Sequence, residues 1–140
     1  MQVILEIREK ELEAKQMELS KILAALNSQR ARLDEIRGAQ ENNIKNIEEL
    51  STGIDFDIVQ VEMHKNYGMK LATDAANQQR IISNTESILK VKQKEVLEAH
   101  QKVEVLKKLK EKQEKEFYKE FLEAETKEID DITSARFRLK

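Results

Sequence analysis

Carboxylates crowd one short stretch of the sequence, EAETKEIDDI at residues 123–132. Glu125 and Glu128 lie one helical turn apart, as do Glu128 and Asp131, so these side chains share a helix edge. Carboxylates at this spacing can ligate a cation or exchange protons. A di-metal carboxylate site would also need a Glu-x-x-His motif and matching ligands on other helices, and the sequence has no such set. Because Lys127 would repel a cation, the spacing alone favours a charged surface.

The other residues able to do chemistry are sparse. His64 and His100 are too far apart along one helix to share a metal ion, and the chain has no cysteine. The sequence contains no Gly-rich phosphate loop, and a pair of long helices offers no pocket for a Ser/His/Asp arrangement. We therefore expect no catalytic residue, no metal site and no cofactor.

The composition is that of a chain built for long helices. The 140 residues include no proline and three glycines, with 37% charged and 4% aromatic residues. A formal net charge of −2 gives no overall attraction to nucleic acid. The apolar run in the opening MQVILEIREKE is too short for a signal peptide, and no apolar stretch of the sequence is long enough to span a membrane. These features predict a soluble cytoplasmic protein.

Two series of apolar residues at seven-residue intervals predict two helices. The first series is Leu5, Leu12, Leu19, Leu26, Leu33 and, after Gln40, Ile47, with Ile22, Ile36 and Leu50 widening the stripe. The second series is Ile54, Val61, Gly68, Ala75, Ile82, Leu89, Val96 and Val103. Between them lies LSTGIDFD, where Gly53 suits a left-handed helix end and Thr52 or Asp55 suits the start of the next helix.

Folding the chain back at Ile54 brings the two series together, with Leu26 opposite Ile82 and Leu33 opposite Ala75. We therefore predict an all-α fold: a long antiparallel two-helix coiled-coil hairpin whose second helix is longer than the first. The expected organisation is a single domain over 1–140, with helix 1 at about 2–50, a turn at about 51–56 and helix 2 at about 57–136. A dimer of one continuous helix is the alternative.

Helix 2 continues for about thirty residues after helix 1 has run out, yet this stretch contains Phe117, Phe121 and other apolar side chains. Exposed apolar surface of this kind predicts an interface with a protein partner. End-to-end packing of two copies, or a longer natural N-terminus that covers the stretch, would also explain it. Gly38 and Gly68 on the opposite arms mark either a bend or a small-residue face where something docks.

The string LKKLKEKQEKEFYKEFLEAETKEIDDI resembles the end of the FliJ family, the small coiled-coil component of the bacterial flagellar type III export apparatus. The family's pattern there is Glu-x-Lys-Glu-[Leu/Ile]-Asp-[Glu/Asp]. The matching residues in this sequence are Glu125, Lys127, Glu128, Ile129, Asp130 and Asp131. The opening MQVILEIREKELEAK is similar to the family's Leu-rich first segment, without the Phe/Leu residues that usually precede it.

The resemblance implies an antiparallel coiled coil that acts as a central stalk at the hexameric export ATPase FliI. It also implies binding to the cytoplasmic domain of the export gate FlhA, an escort role for export chaperones, and a place at the inner face of the cell membrane through these partners. The gate-binding face of the family maps near Ile36, Ala39 and Asn43 on the first helix and Tyr67 and Leu71 on the second. The family's ATPase-facing end maps to the stretch with Phe117, Phe121 and the acidic motif.

Two other functions stay open at this point. A stalk protein of a virulence type III secretion ATPase would share these patterns, and genomic neighbourhood separates it from a flagellar one. A generic homodimeric coiled-coil scaffold would also share them. Sedimentation separates that scaffold from a stalk, because a tight homodimer favours the scaffold.

Overall fold

The chain forms two α-helices that pack against each other, as the sequence predicts. A computed structural model describes residues 2–53 and 56–139, and within these residues it contains no strand. Helix α1 spans Gln2–Thr52 and the longer helix α2 spans Ile58–Leu139. The absence of proline allows both helices to run this far without a break. Ile54, the predicted fold point, and Asp55 lie outside the described residues.

The helix ends use different residues from those that the sequence suggested. Asp57 caps α2: its Oδ1 accepts a hydrogen bond from the Val59 amide at 3.0 Å, and its carbonyl accepts one from Val61 at 3.1 Å. Thr52 instead ends α1, where its hydroxyl donates to the Glu48 carbonyl at 3.0 Å. The predicted left-handed cap at Gly53 was wrong, because no glycine of the described chain has a positive φ.

Contacts divide the chain into two units. The first unit is Lys15–Val96. Its core joins Leu26, Leu33 and Ile82, with Ala75 and Leu89 packed against them. The predicted partners Leu26 and Ile82, and Leu33 and Ala75, therefore share one cluster. Burial of this kind supplies most of the stability of a helix pair, since exposed helices of ordinary sequence are marginal in water.

A second, more polar seam fixes the register of the first unit. It follows α1 at Lys15, Ile22, Gln29, Ile36 and Asn43, where every other position is polar. Gln78 Nε2 donates to the Gln29 carbonyl at 2.9 Å, and Asn43 Nδ2 donates to the His64 carbonyl at 2.8 Å. These bonds join rising residue numbers on α1 to falling numbers on α2, so the helices of this unit are antiparallel. The side-chain amides of Gln78 and Asn43 favour one register over its neighbours, since a slip would remove their bonds to the opposite helix.

Lys15, the third polar residue of this seam, belongs to a network of four charges. Lys92 Nζ lies 2.7 Å from Glu18 Oε2 and 3.0 Å from Glu95 Oε2, and Lys15 Nζ lies 3.1 Å from Glu95 Oε2. The hydrogen bond from Lys92 lowers the pKa of both Glu18 and Glu95, and Lys15 lowers that of Glu95 further. The bond to Glu18, and then that to Glu95, raises the pKa of Lys92.

These shifts predict that the network contributes to stability at neutral pH and not in acid. A lowered carboxyl pKa in the folded chain stabilises it above the unfolded value of about 4.3, and this contribution disappears as pH falls through the folded value. In urea melts followed by circular dichroism, Lys92→Met should lower the midpoint at pH 7 and have little effect at pH 2.5. Lys94→Met, at an exposed position of the same helix, is the control. An equal loss from Lys92→Met at both pH values would contradict the prediction.

The second unit comprises the described residues of Met1–Ala14 and Leu97–Lys140. Leu5 and Val103 are its buried residues, and they belong to the two predicted heptad series. Lys110 Nζ donates to Gln2 Oε1, close to the start of α1. From Glu111 to Arg138 every residue of α2 is exposed. We call residues 111–138 the C-terminal arm.

Candidate functional site

One groove in the first unit brings together four of the five residues that the resemblance maps to the gate-binding face. Ile36, Ala39, Tyr67 and Leu71 line a shallow groove of about 160 Å³. Ile36 and Leu71 are buried, so their side chains form the floor of the groove and hold the helices together. Tyr67 is 46% exposed and presents most of the contact surface. The rim of the groove carries both basic and acidic side chains, those of Arg32, Glu35, Lys70 and Asp74.

A wider groove of about 730 Å³ adjoins the first, and Tyr67 lines both. Leu50 and the exposed Met63 give it an apolar surface, and Glu49 and His64 add polar atoms. This groove was not predicted from the sequence. Its signal was the recurrence of Gln60, Met63 and Tyr67 at helical spacing toward Leu71, which places them along one side of α2.

Asn43, the fifth residue that the resemblance maps to the gate-binding face, is buried between the helices. It is 4% exposed and bonds His64 twice: its Nδ2 donates to the His64 carbonyl at 2.8 Å, and its Oδ1 lies 3.0 Å from His64 Nδ1. Since Asn43 presents its oxygen to the ring, Nδ1 must carry a proton and donate. His64 is therefore a structural residue at the seam edge.

The two interior glycines have different surroundings. A Cβ added at Gly68 would lie 2.9 Å from Asn43 Nδ2, whereas a Cβ at Gly38 would meet nothing within 4 Å. Gly68 thus provides room for the buried Asn43 side chain. Gly38 has no comparable steric requirement.

The C-terminal arm forms a separate surface with large exposed aromatic side chains. Phe117 is 72% exposed, Tyr118 62% and Phe121 51%. Phe117 and Phe121 lie one helical turn apart on one edge of α2. Ile129, Ile132 and Phe137 extend the apolar surface of the arm. Exposed apolar surface of this extent usually marks a site that another molecule covers.

The acidic motif lies on the same arm, and its residues are all exposed. These are Glu125, Lys127, Glu128, Asp130 and Asp131. In the part of the chain that the structure describes, no group of three or more His, Cys, Asp or Glu side chains is placed to hold a metal ion. His100 lies in another part of α2, where its Nε2 is 3.9 Å from Glu104 Oε1. The arm's carboxylates are therefore positioned as surface charges.

Across residues 2–53 and 56–139, neither helix has an apolar stretch long enough to cross a membrane.

Comparison with known proteins identifies one family. A family model described as "Flagellar FliJ protein" matches residues 1–140, the whole chain. No curated protein and no solved structure matches the chain.

Proposed function

Since the chain belongs to the FliJ family, a flagellar export-related family of non-catalytic coiled-coil proteins, we propose that it is the stalk of the flagellar export ATPase. In this role it is not an enzyme, and ATP hydrolysis belongs to the hexameric ATPase, which is FliI-like. The chain links that ring to a FlhA-like export gate and escorts export chaperones. It acts in the cytoplasm as one coiled-coil domain, held at the inner face of the membrane by its partners.

The exposed C-terminal arm is the observation that carries this proposal. A helix that leaves Phe117 and Phe121 in water gains free energy when a partner covers them, at about 25 cal/mol per Å² of apolar surface buried. A ring of subunits with an apolar lining can enclose such a helix from several sides. The arm therefore suits insertion into the ATPase ring.

The negative charge of the acidic motif favours a partner with a basic surface. Glu125, Glu128, Asp130 and Asp131 outnumber Lys127, and all are exposed. We assign to them contacts with basic groups of the ATPase. Exposed ion pairs contribute little affinity, about 0–1 kcal/mol each, but they raise association rates and fix orientation.

The gate contact is assigned to the grooves around Tyr67. Ala39 and Tyr67 offer an accessible surface above the buried Ile36 and Leu71, and the mixed-charge rim provides polar complementarity. A tyrosine exposed at the junction of two grooves is typical of an interface anchor, because it buries a large ring and keeps a polar end. The gate and the ATPase would then use different units of the chain.

The experiment that tests the stalk proposal is a pull-down of the purified export ATPase with Phe117→Ala/Phe121→Ala. Binding should fall by about tenfold or more, because two exposed aromatic anchors of the arm are removed. Helicity by circular dichroism should stay intact, since neither side chain is buried within the chain.

The matched control is Ile88→Ala/Val91→Ala, which removes two exposed apolar side chains of α2 outside the arm (53% and 58% exposed). This control should bind the ATPase as the unmodified chain does. Undiminished binding of the arm variant would overturn the insertion proposal.

A further inference from the structure

We propose that the wider of the two grooves beside Tyr67 binds a segment of the export gate that presents an apolar side chain next to a lysine or arginine. This inference rests on the proposed gate contact and names the chemistry of the gate's docking segment. The groove, called the wide groove below, has a volume of about 730 Å³ and lies wholly within the first unit. Its lining comes from the last turns of α1 and the first turns of α2.

The apolar part of the wide groove comes from both helices. Leu50 of α1 is partly buried, and Met63 and Tyr67 of α2 are 65% and 46% exposed. Met63 and Tyr67 lie one helical turn apart, so their side chains are neighbours on the surface of α2. A methionine side chain adapts its shape to an apolar partner, and a tyrosine ring adds contact area while its hydroxyl stays near water. This surface suits an apolar side chain of a partner.

Glu49 is the only Asp, Glu, Lys or Arg among the described residues that line the wide groove. Its side chain is exposed, and no described lysine, arginine or histidine forms an ion pair with it. A partner that covers the groove withdraws water from this carboxylate. Because a carboxylate removed from water is costly without a cation beside it, the partner must supply a basic group at Glu49.

The sequence around the wide groove has the same sign of charge. Residues 46–64 contain five carboxylates and no lysine or arginine, although the whole chain has a formal net charge of only −2. The described carboxylates of this stretch are all exposed: Glu48, Glu49, Asp57 and Glu62. Exposed charge of one sign attracts an oppositely charged segment and speeds its association. A basic partner segment is therefore favoured over a neutral or acidic one.

The narrower groove of about 160 Å³ has no such preference. Its rim carries both signs of charge, and Arg32 Nη1 already lies 3.2 Å from Glu35 Oε2. The wide groove is thus where the basic group of the gate segment binds, and Tyr67 contacts the same segment because it lines both grooves.

Charge reversal tests the basic group, with the purified cytoplasmic domain of the FlhA-like gate titrated into the chain. At about 0.1 M salt, Glu49→Lys should raise the Kd about tenfold, because it replaces an attraction by a repulsion. At about 1 M salt the screening length falls from about 10 Å to about 3 Å, and most of this difference should disappear. The matched control is Glu48→Lys, at an exposed position that does not line the groove.

Glu48→Lys should raise the Kd only about twofold, since it acts through long-range attraction alone. Equal effects of Glu48→Lys and Glu49→Lys would reduce the contribution of Glu49 to net charge and overturn the inference.

Met63→Gln tests the apolar part of the wide groove. It should raise the Kd about fivefold at both salt concentrations, because the loss of apolar burial is not screened by salt. Met69→Gln is the control, since Met69 is 71% exposed on the same helix and does not line the groove. Equal affinities of the two methionine variants would contradict the apolar anchor.

Tyr67→Ala separates this inference from the proposed function. If Tyr67→Ala binds the gate domain as tightly as the unmodified chain, the proposed gate contact is wrong and the inference falls with it. If Tyr67→Ala weakens binding while Glu49→Lys and Met63→Gln match their controls, the gate contact stands and the inference alone is overturned.

A second copy of the chain is the other basic partner to test, because residues 107–115 hold five lysines. Sedimentation equilibrium of the chain alone decides between the two. A monomer, or a dimer that Glu49→Lys leaves intact, supports the gate segment as the occupant. A dimer that Glu49→Lys dissociates would assign the wide groove to a second copy and overturn the inference.

Discussion

Replacing Leu26 with alanine is expected to lower the free energy of unfolding of the chain by about 3 kcal/mol. Leu26 is the most deeply buried residue of the described chain, at 2% exposed, and it packs with Leu33 and Ile82. The cost combines the lost burial of the side chain with the cavity left behind. Two helices that are held in register by polar seam residues cannot close such a cavity easily.

Urea denaturation followed by circular dichroism at 222 nm measures this loss. The matched control is Leu97→Ala at a position that is 57% exposed, where the change should stay within about 0.5 kcal/mol. With a total stability on the order of 5–15 kcal/mol, the Leu26 variant should still fold at low temperature. Similar losses from both variants would show that the cluster around Leu26 is not the main stabilising core of the first unit.

The heptad pattern was sufficient to predict this core. Leu26 and Ile82 belong to different seven-residue series, and the strongest turn signal in the sequence sets them opposite each other. Their shared cluster follows because an apolar seam on one helix can be buried only against a matching seam. The ends of the helices were less predictable. Several polar residues near the turn were able to cap α2, and only the backbone geometry selects Asp57.

The polar seam was not predicted, because a search for apolar repeats passes over it. Asn43 and His64 lie at the seam between the helices, but a search for apolar residues every seven positions leaves polar residues out. Once two helices are packed in register, the same positions become buried partners, and Asn43 must bond His64 or remain unsatisfied. The role of this pair depends on both helices together, so neither segment reveals it alone.

The resemblance and the predicted helix lengths each pointed to one of the candidate surfaces. The resemblance grouped Ile36, Ala39, Tyr67 and Leu71, and these residues do line one groove. Ile36 also belongs to the apolar stripe of α1, and its burial makes it the floor of the groove. The exposure of the arm could be predicted from the lengths of the two helices. Because α2 extends beyond the start of α1, Phe117 and Phe121 have no helix of the same copy to cover them.

The two interior glycines should respond to alanine with opposite signs. Gly38→Ala is expected to stabilise the chain by about 1 kcal/mol, because alanine is the better helix former and its Cβ meets nothing within 4 Å. Gly68→Ala is expected to destabilise it by about 1 kcal/mol despite the same gain in helix propensity. Its Cβ would lie 2.9 Å from Asn43 Nδ2, and displacing a buried amide from its partners costs about 1–3 kcal/mol.

A double-mutant cycle isolates the contact between Gly68 and Asn43. In an Asn43→Ala background the crowded amide is absent, so Gly68→Ala should become stabilising by about 1 kcal/mol, as Gly38→Ala is in either background. The change of sign corresponds to a coupling of about 2 kcal/mol, measured as the difference between urea unfolding free energies. If Gly68→Ala has the same effect with and without Asn43, the glycine does not exist to accommodate that side chain. Gly68 would then be a tolerated glycine within a helix, like Gly38. The Asn43–His64 pair would accommodate a side chain at position 68.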